Sequence, residues 1–366
     1  MSELQVNKAN FRETRLVTTG TTTASSALET GEVLVKIERF AFTANNITYA
    51  VTGEKIGYWQ FFPANQNEQQ NWGIVPVWGF ARVVASQHEQ MPVGERLYGY
   101  FPPAEYLKMA PESVSDGNFI DGIAHRASLP SGYNQYYRVA AEPGYNPQFD
   151  NHRMLLWPLH ITSFCLWDKL NANQWYGAQQ IILISASSKT SWGLAYALQD
   201  DTNAPQVVGI TSQRNRDFVA QLNAYDECVT YEQLSAIQTD KTAVVVDFSG
   251  NAALTQALSQ KLGDNLKYTI NVGLTHWDEQ HNPMAKSENS EFFFAPGHIK
   301  QRFADWGAAA FEQKSTRFIM STAQKSSSWL SFNVHNDLSA FKGVYADVID
   351  GRIPANEGVI VVMPES

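Results

Sequence analysis

From about Leu155 the chain alternates short, continuously apolar runs with helix-periodic segments, and no other feature narrows its possible folds as much. The pattern gives a helix over 155–170, a strand Ile181–Ile184, a helix 192–198, a strand 207–210 and a helix 215–222. A short strand near 227–229, a strand 243–246, a helix 252–262, a strand 268–272 and a last strand at 292–294 follow. Strands apolar on both faces and separated by helices pair in parallel and are covered on both sides. Residues 155–298 therefore read as a doubly wound parallel-sheet α/β domain.

The remaining residues have another texture. Gly31 to Glu38 alternate apolar and polar residues, as a half-buried strand does, and further short strands fall at Val83–Val84 and Glu95–Tyr100 among Gly and Pro punctuation. The first 154 residues are mostly β, with an aromatic loop, Tyr58-Trp59-Gln60-Phe61-Phe62-Pro63, that requires a cover. After residue 298 come a long helical stretch, a helix near 338–349 and a strand at 358–363. The 366 residues, 44% hydrophobic and 17% charged, suit two cores.

A net charge of −9 without a basic cluster argues against nucleic acid or an anionic membrane as partner. No run reaches the ~18 apolar residues of a membrane span. The first residues, Met1-Ser2-Glu3-Leu4-Gln5, do not read as a secretory signal. Cys165 and Cys228 form no C-x-x-C pair and read as packed thiols, so a reducing, cytoplasmic setting is expected.

The chemistry concentrates where Ile181–Ile184 runs into Ser185-Ala186-Ser187-Ser188-Lys189-Thr190-Ser191. A strand, a polar turn and a helix form a phosphate site in two settings, the G-x-G-x-x-G dinucleotide turn and the G-x-x-x-x-G-K-[ST] loop of nucleotide hydrolases. Lys189-Thr190 and the strand ending at Asp247 favour the second. Its two required glycines, however, are Leu183, inside the strand, and Ser188. The dinucleotide reading needs a strand–turn–helix, a second strand ending at the adenosine ribose and further strands ending near the ligand, and all three occur in order.

After the second strand stand Ser212, Gln213 and Arg214, with no acid to repel a ribose 2′-phosphate. Arg214 can pair with that phosphate and Ser212 can hydrogen-bond it, which favours NADP(H) over NAD(H). Ser187, Ser188, Lys189, Thr190 and Ser191 are expected to hold the pyrophosphate with hydroxyls, one charge and the helix N-terminus in place of glycine backbone. Phe248, Ser249 and Gly250 are expected along the cofactor, with Asp247 holding their turn.

Glu32-Val33-Leu34-Val35-Lys36-Ile37, then Thr43 to Tyr49 before Gly53, and Pro92-Val93-Gly94-Glu95-Arg96-Leu97-Tyr98-Gly99 resemble landmarks of the medium-chain dehydrogenase/reductase superfamily. Asp247-Phe248-Ser249-Gly250, Asn271-Val272-Gly273 and Gly351-Arg352-Ile353-Pro354 do so too, and the resemblance spans nearly the whole chain. It implies a GroES-like, mostly-β catalytic domain over 1–154 and 299–366, beside a Rossmann-type domain over 155–298. The chain is most similar to the zinc-free quinone oxidoreductases and enoyl reductases. No Gly-His-Glu occurs, neither cysteine falls in the ligand region, and Trp78 fills the slot of a usual acid, so no metal is expected.

The resemblance also assigns roles. Tyr49 becomes the oxyanion stabiliser or proton donor, Asn46 a substrate-orienting group in the usual Asp slot, Thr162 a cofactor contact, and Val272 and Gly273 part of the cofactor edge. His160 reads as structural. The implied activity is hydride transfer from NADP(H) to a quinone-like or α,β-unsaturated carbonyl small molecule, with a homodimer through the 292–294 edge strand. The alternative is a catalytically weak NADP(H)-binding sensor on the same fold.

Overall fold

The structure is a computed structural model that describes residues 1–19, 28–272 and 289–365. Its contacts divide the chain into two units: Met1–Leu155 together with the residues from Leu330 on, and Leu156–Trp329. The resemblance places residues 299–366 in the first unit, whereas the long helical stretch at their start falls in the second unit and the return comes at Leu330.

The first unit opens with strands β1 (Ser2–Asn7), β2 (Thr14–Thr18) and β3 (Val33–Phe42), followed by helices α1 (Ala44–Val51) and α2 (Gly53–Ile56). Strands β4 (Trp72–Gly73), β5 (Val77–Ser86), β6 (Arg96–Phe101), β7 (Tyr106–Met109), β8 (Pro111–Glu112), β9 (Asn118–Asp121) and β10 (Gln135–Arg138) come next. β3 is central, and along one edge it pairs through Val33–Lys36 with β7. The aromatic loop finds its cover here. Tyr58, Phe61 and Phe62 pack with Tyr49 and Tyr100 into one buried cluster.

Beneath that cluster lies a buried ion pair between Arg126 and Asp121. The Arg126 guanidinium also donates to the Tyr136 hydroxyl at 3.2 Å and lies 4.9 Å from the centre of the Phe62 ring. Tyr136 in turn donates to the Tyr100 carbonyl at 2.6 Å. A charge this deep is tolerated because it is paired and hydrogen-bonded.

Helix α3 (Asp150–Ala172) leads into the second unit and carries Pro158 in its interior. Its parallel strands are β11 (Gln180–Ile184), β12 (Gln206–Thr211), β13 (Glu227–Thr230), β14 (Ala243–Asp247), β15 (Leu266–Asn271) and β16 (Ser290–Phe292). Among them run α4 (Lys189–Gln199), α5 (Arg216–Gln221) and α6 (Ala252–Leu262), and after them α7 (Ala295–Trp306) and α8 (Ala308–Ser326). The order across the sheet is β13-β12-β11-β14-β15-β16. Every residue of β11 and β14 is buried, as central strands of a doubly covered sheet must be. In chain order this is 3-2-1-4-5-6, the arrangement of the Rossmann fold, with its switch point between β11 and β14. β16 forms the sheet's edge among the described residues.

The return supplies β17 (Ser331–Asn336), α9 (Asp337–Ile349) and β18 (Glu357–Val362). β17 and β18 pair in parallel across α9, and β18 pairs antiparallel with β3. Phe341 and Tyr345 of α9 pack on Phe42 with ring centres 4.9 and 5.2 Å away. The sequence reading lacks β17. Most of its side chains are exposed, and only Phe332 and Val334 mark an apolar face in the sequence. No helix of the described residues is long and apolar enough to cross a membrane.

Candidate functional site

Ile184 is level with Ile210 of β12 and Asp247 of β14, and Asp247 with Asn271 of β15. The serine turn, Ser212–Arg214, Phe248–Gly250 and Val272 therefore leave the sheet at one edge, beyond the carboxyl ends of its strands. Ligands of open α/β sheets bind at this edge. Gly273 lies outside the described residues. Leu183 is buried within β11, so no hydrolase-type phosphate loop can form from it.

The turn is tight. Ser185 sits at φ +64°, a left-handed conformation that usually takes glycine, and the Ser188 N–H closes on the Ser185 carbonyl at 2.9 Å. The Ala186 N–H donates to the Ile210 carbonyl at 2.9 Å, tying the turn to β12. Ser188 caps α4, its hydroxyl oxygen accepting from the Ser191 N–H at 3.3 Å. Ser187 accepts from the Asn215 side-chain amide at 3.0 Å. Both hydroxyls thus face donors and keep their own protons to give. Ser187, Ser188, Lys189 and Thr190 are half-buried at the start of α4.

Ser191 differs from the sequence expectation. It is fully buried, and its hydroxyl lies 3.1 Å from that of Tyr225, which already donates to the Ala186 carbonyl at 2.7 Å. Ser191 must therefore donate inward to Tyr225, because a helix residue three positions past the cap points back under the turn.

Side chains of α3 hold the same helix start from below. Ser163 donates to the Thr190 carbonyl at 2.7 Å. His160 Nε2 lies 3.2 Å from the Lys189 carbonyl, and its Nδ1 lies 2.6 Å from the Thr322 hydroxyl on α8. A carbonyl can only accept, so the proton is on Nε2. Burial pushes His160 down to about 3, which keeps the ring neutral. Gly193 permits this approach, since a Cβ there would stand 2.6 Å from Ser163 Oγ and 2.7 Å from His160 Cδ2. Thr162, beside Ser163, is half-buried.

On the β12 side Ser212 is half-buried and Arg214 exposed, with no carboxylate from 211 to 215. On the β14 side Asp247 Oδ1 accepts from the Ser249 N–H and hydroxyl at 2.7 and 2.6 Å and from the Gly250 N–H at 3.2 Å. Thr255 donates to its other oxygen at 3.2 Å. Asp247 holds its turn, which leaves Gly250 at φ +69°. Ser249 is buried with its hydroxyl spent on Asp247, and Phe248 is buried. The Val272 N–H donates to the Asp247 carbonyl at 2.8 Å.

The first unit contains Asn46 and Tyr49, both on α1. Thr43 caps this helix in a reciprocal box, in which the Asn46 oxygen accepts from the Thr43 N–H at 2.8 Å. The Asn46 nitrogen donates to the Pro76 carbonyl at 2.8 Å, so the amide is engaged at both ends. The Tyr49 hydroxyl accepts from Asn45 Nδ2 at 3.0 Å and from Trp78 Nε1 at 3.4 Å. Both lone pairs are filled, so its hydrogen is left to donate. Burial raises the Tyr49 phenol far above its ordinary range. It stays a neutral donor at any physiological pH.

The bracing residues Asn215, Tyr225, Ser163 and Thr322 escaped the sequence reading. They are brought to the turn from distant elements, and no local spacing marks them. No group of three or more His, Cys, Asp or Glu side chains gathers as a metal site among the described residues.

The fold has close counterparts among solved structures. CurA from Vibrio vulnificus, in complex with NADPH, superposes with a TM-score of 0.65 at 12% identity over 100% of both chains. The yhdH oxidoreductase from Salmonella enterica, in complex with NADP, gives 0.53 at 13% identity over 100% of both. The human synaptic vesicle membrane protein VAT-1 homolog-like protein gives 0.55 at 11% identity over 100% of this chain and 99% of its own. No curated protein matches the chain by sequence. The fold is that of medium-chain reductases, as the sequence resemblance implied. Residues 40–354 match the family model described as protein of unknown function (DUF2855), and the chain belongs to that family.

Proposed function

We propose that this protein is an NADP(H)-dependent, zinc-free reductase whose substrate is a quinone-like or α,β-unsaturated carbonyl small molecule. The observation that carries the reading is the carboxyl edge of the 3-2-1-4-5-6 sheet. A capped helix start with two donor hydroxyls and Lys189 stands there beside an acid-free turn bearing Arg214. These groups suit a pyrophosphate and a 2′-phosphate. Two solved structures of the same fold are complexes with NADPH or NADP, which supports this choice of ligand.

When bound, the nicotinamide supplies hydride. The chain's residues bind and orient. Ser187, Ser188, Lys189 and Thr190 take the pyrophosphate, Ser212 and Arg214 the 2′-phosphate, and Thr162, Phe248, Ser249, Gly250 and Val272 the remaining length of the cofactor. Tyr49 donates a hydrogen bond to the substrate oxygen, and Asn46 acts through α1, fixing the helix that carries Tyr49.

NADPH consumption across quinones, enones and aldehydes tests the activity. Tyr49→Phe is expected to lower turnover by about a hundredfold while NADPH affinity stays as it was; unchanged turnover removes Tyr49 from the chemistry. A second reading, a weakly catalytic NADP(H)-binding sensor, draws on the engagement of Asn46 at both ends. NADPH binding without consumption across the whole panel selects it.

A further inference from the structure

Asn215 occupies the N-cap position of α5, where asparagine normally accepts from a backbone N–H and contributes about 1 kcal/mol to helix stability. Here its side chain makes no capping bond. It turns instead to Ser187, 28 residues earlier, and donates to that hydroxyl at 3.0 Å. The turn before Asn215 is closed, since its own N–H donates to the Ser212 carbonyl at 2.9 Å. The amide therefore joins two turns that leave adjacent strands, the serine turn after β11 and the Ser212–Asn215 turn after β12.

The direction of this bond has a chemical consequence. The Asn215 nitrogen can only donate, so the Ser187 oxygen accepts, and the Ser187 proton points elsewhere. A hydroxyl held in that sense is a donor waiting for an acceptor, as an anionic phosphate oxygen requires. Glycine backbone normally supplies such donors, and the serine turn has lost that close approach.

We infer that Asn215 is a positioning and specificity residue for the dinucleotide. It orients the Ser187 hydroxyl toward the pyrophosphate and locks the Arg214 turn to it, so that pyrophosphate and 2′-phosphate are read as one unit. The inference rests on the NADP(H) reading above and assigns Asn215 no contact with the reacting atoms.

The test titrates the full chain with NADPH and with NADH. Asn215→Ala is expected to weaken NADPH binding about tenfold, the scale of one lost hydrogen bond to a charged group, and to narrow the preference for NADPH. Ser187→Ala is expected to do the same, and the double variant to be little worse than either single one, because both remove one linkage. Asn215→Asp keeps a tie but makes Ser187 the donor to it and sets a carboxylate beside Arg214. It is expected to bind NADPH more weakly than Asn215→Ala does, with melting unchanged.

Multiplicative losses in the double variant, or an Asn215→Ala chain that binds NADPH as the unaltered chain does, overturn the inference alone. An unaltered chain that binds neither dinucleotide overturns the functional reading as well.

Discussion

The starts of α1 and α4 are both capped helix ends with polar side chains assigned to chemistry, yet they use those groups in opposite ways. At α1 the box is reciprocal: Thr43 and Asn46 satisfy each other, and Pro76 takes what Asn46 has left to give. At α4 the cap runs one way. Ser188 accepts from Ser191, Ser187 accepts from Asn215, and both hydroxyl protons remain unspent. A helix cap can therefore be closed, with its donors satisfied within the chain, or open, with hydroxyl protons left to give. In the first unit the Tyr49 hydroxyl, filled as an acceptor by Asn45 and Trp78, is of the open kind.

The supports beneath the two helices also differ, by charge in one and by neutral hydrogen bonds in the other. Asp121→Ala strands the buried Arg126 charge under the tyrosine cluster and should cost about 3–5 kcal/mol. Denaturant unfolding measures this, and a loss below 1 kcal/mol would mean the ion pair is not the cluster's support.

Under α4 the support is His160, and its contribution depends on pH. The folded value of about 3 lies below the ordinary value near 6.5, so the unfolded chain binds the proton first. The contribution is complete above pH 6.5 and declines toward pH 3 at about 1.4 kcal/mol per unit. By pH 5 the loss reaches about 2 kcal/mol. His160→Gln should flatten that slope by up to one proton, and an identical slope in the variant would contradict a neutral, buried ring.

The two caps respond differently to substitution. Asn46→Ala should cost about 2 kcal/mol, because it strands the Thr43 N–H and the Pro76 carbonyl, and leave NADPH affinity alone. Ser188→Ala should cost about 1 kcal/mol and weaken NADPH binding as well. If the two variants affect NADPH equally, the distinction between closed and open caps fails.

The parallel sheet was legible because its strands are apolar on both faces. Ile181–Ile184 and Ala243–Val246 lie within β11 and β14, and α6 spans the expected 252–262. β17 was not legible, because Phe332 and Val334 are its only apolar residues and two positions are too few to mark a strand. The second domain boundary was displaced for a related reason. Helices α7 and α8 are amphipathic without naming their partner, and their assignment to the parallel-sheet unit comes from packing alone.

The positions of Ser187, Ser188, Ser212 and Arg214 just beyond the ends of β11 and β12 could be read from the sequence. Whether each hydroxyl is spent or unspent could not. Ser191 and Ser188 look equivalent in the sequence, and only the position of Tyr225 makes one a buried brace and leaves the other a donor. Asp247 was readable as a turn-holder, and its carboxylate does accept from Ser249, Gly250 and Thr255.

The proposed ligand of the carboxyl edge of the second unit's sheet is a 2′-phosphorylated dinucleotide. Titration of the full chain and of Arg214→Ala with NADPH and NADH tests it most directly. The full chain is expected to bind NADPH more tightly than NADH, and Arg214→Ala to weaken NADPH by about tenfold or more while NADH changes little. Equal losses for both dinucleotides, or binding of neither by the unaltered chain, would contradict it.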